Sequence, residues 1–244
     1  MQKDTALLKV EGLTKYYRGL AANENIDLQI TEGQIVGLIG PNGAGKSTLF
    51  KMISGFNSAD RGKIFFEGRE IQNKEPYKIS RQGIASTFQH AQMFPNLQLL
   101  EAVMAGAYGN GKNKSEARRI ALEKIRFVGL EGKEAVVSSK LNMFERKKAE
   151  LAAALAIEPK LILLDELFAG LVPSEVPLMI EQVRRVRESG VSVFIVEHVL
   201  RAIMEMCDYV YVLESGKLIA EGTPEEIRHN PLVITAYLGD DYDA

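Results

Sequence analysis

One nine-residue stretch, GPNGAGKST at 40–48, most constrains how this chain can fold. It follows the apolar run IVGLI at 35–39 and precedes a segment of helical character, so the pattern predicts a buried strand, a glycine-rich turn and a helix. Glycine tolerates positive φ, and such a turn lets backbone N–H groups point at an anion beside the helix N-terminus. The stretch therefore predicts a phosphate-binding loop in an α/β fold.

Two side chains of this loop have separate expected tasks. Lys46 is expected to reach the β and γ phosphates of a nucleotide, and the Ser47 hydroxyl to ligate Mg²⁺. The expected phosphate-binding residues are Gly40, Pro41, Asn42, Gly43, Ala44, Gly45, Lys46, Ser47 and Thr48.

Composition excludes several classes of protein. The 244 residues are enough for one large domain with a core that needs no disulfide, and the single Cys207 excludes an intramolecular one. Net charge is −2 with 25% charged residues, so no basic field indicates a nucleic-acid partner. No apolar run is long enough to span a bilayer and no export signal is recognised, so we expect a soluble intracellular protein that reaches a membrane only by docking on another protein.

Apolar patterning divides the chain into three parts. Residues 6–30 alternate as edge strands do, and 63–66 adds another strand, so the first 70 residues predict a mixed sheet around one nucleotide-binding unit. Residues 96–157 are helical in pattern. Continuous apolar runs at 161–164 and 191–196, separated by a helical stretch at 175–188, predict parallel strands buried on both faces.

Capping residues and glycines predict where helices begin and end. Ser115 is a plausible N-cap for a helix that Gly129 ends, and the glycine-rich segment 106–114 predicts an exposed connection before it. A basic second helix spans 144–157. Further on, a hairpin turns at Ser215-Gly216, and Thr223-Pro-Glu-Glu is a capping box that starts a final helix.

Polar residues stand where the predicted strands end. Open α/β sheets place ligands at the carboxyl ends of their strands, so Asp165 can hold Mg²⁺ through water and Glu166 can polarise an attacking water. Gln89 follows the run 84–88 and is a candidate for contact with both the metal and the water. His198 ends the run 191–196 within reach of a γ-phosphate. Gln89 or His198 alone is only weak evidence for a nucleotide site. Their order and spacing along the chain strengthen that evidence.

Across essentially its whole length the chain resembles the ATP-binding-cassette (ABC) ATPase family. GPNGAGKST matches the Walker A loop, LILLDE at 161–166 the Walker B strand, Gln89 the Q-loop and His198 the switch histidine. Tyr17 matches the aromatic residue that stacks on adenine, with a core aromatic as the alternative. The resemblance implies an α/β P-loop NTPase (ABC ATPase) core with a mixed sheet, an antiparallel β subdomain and an α-helical arm subdomain.

The implied organisation is a single nucleotide-binding domain at 1–244. Its core takes in 1–89 and 160–244, and the helical arm, about 90–159, contacts membrane partners. By the same resemblance two such domains close head to tail over two ATP molecules with Mg²⁺. The implied partners are transmembrane permease subunits, a second ABC ATPase subunit and, indirectly, a solute-binding protein, with no nucleic acid. The implied location is cytoplasmic, peripheral on the inner face of the membrane.

Several stretches are similar to the ATPases of bacterial importers for branched-chain and other hydrophobic amino acids. These are GIASTFQHAQMFPNLQLLEAV, DELFAGLVPSE, the pair Glu197-His198 and the ending AYLGDD. The lipopolysaccharide-export ATPase is the nearest competitor. A non-catalytic ATP-dependent switch is a further alternative, and ATPases of the superfamily that act on DNA or ribosomes are disfavoured because the chain has no long coiled-coil insertion or second cassette.

One motif departs from the family. Where a serine, two glycines and a glutamine are usual, residues 141–145 read LNMFE. In the family this element binds the γ-phosphate of ATP on the opposite subunit, so Asn142 becomes the expected contact, Phe144 adds a ring and Glu145 adds a negative charge. The basic residues 146–148 are expected to offset that charge. Smaller departures are Leu167, Val172 and Val199; Val172 removes a polar contact expected across the dimer.

Overall fold

The computed structural model describes residues 6–87 and 95–238, which form two β-sheets with helices packed on them. The strands are β1 (Ala6–Tyr17), β2 (Leu20–Thr31), β3 (Ile35–Ile39), β4 (Arg61–Phe66), β5 (Arg69–Glu70), β6 (Ile84–Ser86), β7 (Leu161–Asp165), β8 (Ser192–Val196), β9 (Tyr209–Glu214) and β10 (Lys217–Gly222). The α-helices are α1 (Lys46–Ile53), α2 (Pro76–Ser80), α3 (Leu99–Gly109), α4 (Lys114–Phe127), α5 (Met143–Leu155), α6 (Val176–Glu188), α7 (Leu200–Met206), α8 (Pro224–Arg228) and α9 (Pro231–Leu238), and a 3₁₀ turn covers Ser138–Lys140.

The two sheets differ in how their strands pair. The first has the order β2-β1-β4-β5 and is antiparallel throughout. The second has the order β10-β9-β3-β8-β7-β6 and is parallel except for the β9–β10 hairpin. The antiparallel region, a mixed sheet and the buried parallel strands are thus confirmed. The prediction that the first 70 residues form the mixed sheet is wrong, because β1, β2, β4 and β5 make the antiparallel sheet while β3 pairs with β8 and β9 in the mixed one.

Strand β3 is buried on both faces because it separates two cores. Ile35 and Ile39 pack in the core on the helical side, whereas Val36 and Leu38 pack with the antiparallel sheet and α1. Alternate residues of a strand point to opposite faces, so a continuous apolar run is what a strand between two layers requires. The short runs of β7 and β8 are buried along their whole length in the same way.

The helical segment packs closely around Gly106. The predicted exposed connection at 106–114 is wrong in its first part, because α3 continues to Gly109, and the connection to α4 covers only 110–113. A Cβ on Gly106 would lie 2.3 Å from the carbonyl oxygen of Ala153, so this glycine permits close approach of α3 and α5. Its role is therefore packing between helices.

The start of α4 differs from the prediction by two residues. Asn113, not Ser115, is the N-cap, and its side chain accepts from the Glu116 N–H while the Glu116 carboxylate accepts from the Asn113 N–H. This reciprocal pair satisfies two N–H groups of the first turn, which a cap at Ser115 would leave exposed. The predicted end at Gly129 (φ 69°) and the capping box at Thr223 are confirmed. The helix that this box starts, α8, is not the final one, because α9 follows it.

None of the helices in the described ranges is long and apolar enough to cross a bilayer.

Candidate functional site

Sheet topology brings the predicted polar residues to one edge. β3 is hydrogen-bonded to β8, and β8 to β7, all in parallel, so the three carboxyl ends lie side by side. The glycine-rich loop leaves β3, Asp165 and Glu166 stand at the end of β7, and His198 follows β8. This edge is where an open α/β sheet places its ligand.

The loop itself has the backbone that its glycines predict. Gly40, Gly43 and Gly45 have φ of 153°, 81° and 105°. A Cβ on Gly40 would lie 2.0 Å from the carbonyl oxygen of Leu213, so no larger residue fits there. Gly45 precedes α1 and caps it with no side chain. The N-terminus of α1 is therefore shaped to receive an anion through its backbone N–H groups.

Lys46 is folded back onto the loop. It is 5% exposed, and its Nζ donates to the carbonyl oxygens of Gly40 (2.6 Å) and Pro41 (2.9 Å). Burial lowers the pKa of Lys46, while the negative charges of Glu166 and Asp165 act in the opposite direction. A phosphate oxygen at this loop would compete with these two carbonyl oxygens for the ammonium.

Glu166 and His198 face each other across the ends of β7 and β8. The Nε2 of His198 lies 2.9 Å from the Oε1 of Glu166. Glu166 has a positive φ of 52°, a conformation that costs energy for a residue with a Cβ and is often retained at functional sites. Hydrogen bonds hold its backbone on both sides: its N–H donates to the carbonyl oxygen of Val196 (3.0 Å), and its own carbonyl oxygen accepts from Lys147 Nζ (3.0 Å) and from the Ala169 N–H (3.2 Å).

Asp165 has the properties expected of an anchor for a cation. Burial raises its pKa, and the neighbouring charge of Glu166 raises it further. Its Oδ1 is buried and makes no hydrogen bond, although buried polar atoms are nearly always paired. The described residues contain no cluster of three His, Cys, Asp or Glu side chains able to hold a metal. The donors on this edge, one carboxylate and the Ser47 hydroxyl, fit a hard cation that completes its shell with phosphates and water.

Glu197 is a buried carboxyl between the two strand ends. It is 2% exposed and accepts a hydrogen bond from the backbone N–H of Phe168 at 2.9 Å. Burial raises its pKa to about 7, against the opposing effect of the Phe168 and His198 N–H groups. This side chain ties the segment after Glu166 to the segment that carries His198.

Tyr17 lies at the surface, on the last residue of β1. Its side chain is 46% exposed, so the alternative of a core aromatic does not hold. Its hydroxyl accepts from the amide of Asn57 (2.7 Å), and Lys15 Nζ lies 5.5 Å from the ring centroid. The ring is thus held in place with room for a stacking partner. Gln89 lies outside the described residues.

The N-terminus of α5 carries the departure at 141–145. The side chain of Asn142 accepts from the Glu145 N–H (2.9 Å), and the Glu145 carboxylate accepts from the Asn142 N–H (3.1 Å). Glu145 is also ion-paired with Lys133, which is the main cause of its lowered pKa. Phe144 is half-buried against the core, whereas Met143 is 48% exposed.

The basic residues after Glu145 are engaged elsewhere. Arg146 donates to the carbonyl oxygens of Leu141 (2.8 Å) and Ser139 (2.7 Å). Lys147 bonds the Glu166 carbonyl, as described above. Lys148 lies 4.9 Å from the centroid of the Phe144 ring and makes only a minor contribution to the pKa of Glu145. The expectation that 146–148 offset Glu145 is therefore wrong in its main part, because Lys133 provides most of the compensation.

Sequence reasoning did not find Lys133 or the contact of Lys147 with Glu166. Both join residues at least twelve positions apart, and nothing in local spacing indicates them. Glu197 had a signal, since it ends an apolar strand beside His198.

A glycine loop between a buried strand and a helix, with carboxylates at the ends of neighbouring strands, defines the phosphate-loop class of nucleotide-binding proteins. Residues 23–169 match the sequence family of ABC transporters, and residues 217–243 match the family of the branched-chain amino acid ATP-binding cassette transporter. The chain therefore belongs to the ABC transporter family, as an ATP-binding and ATP-hydrolysing subunit.

Individual relatives match over almost the whole chain. The probable branched-chain amino acid transport ATP-binding protein LivG of Archaeoglobus fulgidus is 36% identical over 96% of this chain and 95% of its own length. The high-affinity branched-chain amino acid transport ATP-binding protein BraF of Pseudomonas aeruginosa is 32% identical over 96% and 98%. A solved nucleotide-free ATP-binding cassette from an ABC transporter is 30% identical, with a TM-score of 0.89 over 97% of this chain and 100% of its own.

Proposed function

We propose that this chain uses MgATP hydrolysis to drive import of branched-chain or other hydrophobic amino acids. The observation that carries the hydrolytic part is the contact between Glu166 and His198 on the sheet edge that also holds the phosphate loop. The solute class is supported by the match of residues 217–243 and by the printed names of the relatives.

In the proposed reaction, one group of residues binds MgATP and a second group activates the attacking water. The loop N–H groups and Lys46 bind the phosphates, and Tyr17 stacks on the adenine. Ser47 and Asp165 would hold Mg²⁺, with Gln89 as a further candidate ligand, and Mg²⁺ bound there would supply positive charge against the phosphate oxygens. Glu166 polarises the attacking water, and His198 orients that carboxylate through its Nε2 and contacts the γ-phosphate.

The proposed assembly has two such subunits. The nucleotide-binding core takes in 1–89 and 160–244, and the helical segment at about 90–159 contacts permease subunits, which places the chain on the inner face of the membrane. The α5 N-terminus, with Asn142, faces the ATP of the second ATPase subunit. A solute-binding protein delivers the amino acid to the permeases.

Steady-state hydrolysis by the purified chain tests the enzymatic part. Glu166→Gln is expected to lower kcat by about 100-fold or more and to leave MgATP binding intact, since general-base groups contribute roughly 10²–10⁴-fold. Exposed Glu181→Gln is the matched control and is expected to behave as the wild type. Wild-type turnover that persists in Glu166→Gln would contradict the assignment of Glu166.

Uptake by cells tests the solute class. In cells lacking the chain, labelled leucine uptake is expected to return with the wild-type gene and not with Glu166→Gln. Uptake of a charged amino acid such as lysine serves as the control and is expected to be unaffected. Equal leucine uptake with and without the chain would exclude leucine import.

One observation favours a second candidate, a switch that binds ATP and closes without useful turnover. At the start of α5, the N–H of Asn142 already donates to the Glu145 carboxylate, and the N–H of Glu145 donates to the Asn142 side chain. These two N–H groups are therefore not free to bind a phosphate of the second subunit's ATP. Stoichiometric MgATP binding with dimer closure on gel filtration, but no turnover that Glu166→Gln abolishes, would favour this candidate.

A further inference from the structure

Asn23 is a buried amide with no hydrogen-bond partner. Its side chain is fully buried, and neither Nδ2 nor Oδ1 makes a hydrogen bond. Buried amides are almost always paired, because desolvation without a compensating hydrogen bond destabilises the fold. Each such group calls for a specific explanation. Asn23 lies in β2, where an aliphatic side chain would fill the same space without that penalty.

The neighbour of this amide is the phosphate loop. A Cβ built on Gly45 would lie 2.8 Å from the Nδ2 of Asn23 and 2.2 Å from the carbonyl oxygen of Ala22, so β2 packs directly beneath the start of α1. Position 45 therefore requires glycine for two reasons: its φ is 105°, and a side chain there would clash with β2.

The same junction is held by the β9–β10 hairpin. The N–H of Glu24 donates to the carbonyl oxygen of Gly216 at 2.8 Å, and the N–H of Gly216 donates to the carbonyl oxygen of Ala44 at 3.0 Å. The backbone next to Asn23, at Glu24, is thus connected through Gly216 to Ala44 of the loop. A change in the loop backbone at Gly45 would act directly on the two nearest groups of β2, the Ala22 carbonyl oxygen and the Asn23 amide.

In this structure the loop is in the state in which Lys46 bonds its own carbonyls. A phosphate bound in the loop would compete with the carbonyl oxygens of Gly40 and Pro41 for the Lys46 ammonium. A shift of the loop backbone that accompanies this exchange would act on the Asn23 amide, because the amide lies beside Gly45. An amide that can both donate and accept is suited to pair with whichever group the rearranged loop presents.

We propose that Asn23 is a positioning residue for the phosphate loop, whose amide pairs with the loop backbone when nucleotide binds. The Asn23 amide makes no hydrogen bond to the described residues, so hydrogen bonds that it forms to the loop backbone on nucleotide binding would favour the nucleotide-bound state. By linkage, the side chain strengthens nucleotide binding and weakens the empty protein. This inference rests on the proposed nucleotide site but adds a residue that does not touch the ligand.

The test is Asn23→Leu, a substitution of similar size without polar atoms. MgADP affinity is expected to fall at least five-fold by calorimetry, while the melting temperature of the empty protein is expected to stay the same or rise. A role limited to packing would not combine these two effects. Gln182→Leu is the matched control, since Gln182 is a buried amide on α6 that donates to Phe127 (3.4 Å), far from the loop. Its MgADP affinity is expected to stay within two-fold of wild type.

The outcomes separate this inference from the proposed function. If Asn23→Leu binds MgADP within two-fold of the wild type, whatever its melting temperature, the positioning role is overturned. If the wild type itself binds no MgADP, the nucleotide site fails and the inference with it. Should Asn23→Leu not fold, Asn23→Val, which suits a strand, is read by the same affinity criterion.

Discussion

At the scale of single residues, the ends of β7 and β8 concentrate ionisable groups that constrain one another. Glu166 contacts His198, its backbone is held by Lys147, and Glu197 lies buried beside them. Glu166 also has a strained φ. Such an arrangement positions one carboxylate at the price of local stability, as active sites commonly do.

His198→Ala tests the positioning of that carboxylate. We expect kcat for ATP hydrolysis to fall about 10- to 100-fold with little change in MgADP affinity, because Glu166 loses its Nε2 partner while the phosphate loop is untouched. The control is His229→Ala, since His229 also pairs with a glutamate, Glu225 at 3.4 Å, but on the exposed helix α8. Equal kcat for wild type and His198→Ala would exclude the role.

Glu197 predicts how stability depends on pH. Its pKa is about 7 in the folded protein against an ordinary value of 4.5, so the folded state binds this proton more tightly than the unfolded state. The contribution to stability is therefore fully present below pH 4.5 and is lost as the pH rises toward 7. Glu197→Gln retains an acceptor for the Phe168 N–H and has no proton to lose.

The expected gain of Glu197→Gln over the wild type is near zero at pH 4, about 1 kcal/mol at pH 5 and roughly 3 kcal/mol in free energy of unfolding at pH 8. Urea unfolding at several pH values measures it. Exposed Glu181→Gln is expected to show no such trend. A pH-independent difference between Glu197→Gln and wild type would mean that the carboxyl is charged throughout.

At the scale of elements, the contact of α3 with α5 reverses the usual effect of glycine in a helix. Helix propensity alone predicts that Gly106→Ala stabilises by about 1 kcal/mol. The added Cβ would instead lie 2.3 Å from the Ala153 carbonyl, so we expect destabilisation by about 2–4 kcal/mol as the helices are forced apart. Thermal unfolding measures the difference.

Gly109→Ala is the matched control within the same helix. Nothing lies within 4 Å of a Cβ at that position, and its φ is not in the left-handed region. We expect it to be neutral or to stabilise by less than about 1 kcal/mol. If both alanine variants raised the melting temperature, the close contact between α3 and α5 would be disproved.

The same elements show how far sequence alone reaches. Strands β3, β7 and β8 were predictable because burial on both faces leaves a continuous apolar run, and the loop after β3 carries its own backbone signature. Gly106 was misjudged because a glycine needed for packing looks like a glycine needed for a turn. The cap of α4 was misplaced because Asn113 and Ser115 are both good N-caps, and only the partner Glu116 decides between them.

Part of the site could not be predicted from the sequence because it depends on tertiary packing. The ion pair of Lys133 with Glu145 and the contact of Lys147 with Glu166 depend on how α5 packs against its neighbours. The unpaired amide of Asn23 is visible only once β2 lies beneath the loop. Local patterns thus placed the reactive residues, and tertiary packing supplied the groups that hold them.

At the scale of the whole molecule, the α5 N-terminus determines how well two copies can work as a pair. In the proposed head-to-tail dimer it faces the γ-phosphate bound by the other subunit. The carboxylate of Glu145 occupies the N–H of Asn142 and adds a negative charge only partly balanced by Lys133. Val172, 53% exposed, offers no polar group to the same interface. A homodimer would then have two slow sites, and a heterodimer one slow and one ordinary site.

Glu145→Gln removes the negative charge of the Glu145 carboxylate while it keeps the cap of α5. A glutamine retains an acceptor for the Asn142 N–H, so α5 keeps its cap while the repulsion of a phosphate is removed. We expect turnover of MgATP by the homodimer to rise about 3- to 10-fold, a range set by Coulomb repulsion at ~5 Å in a partly screened environment. Glu116→Gln is the control, because Glu116 closes the same kind of capping box on α4. Unchanged turnover in Glu145→Gln would mean that this carboxylate is too far from the partner's nucleotide to matter, and that the slow-site hypothesis fails for the homodimer.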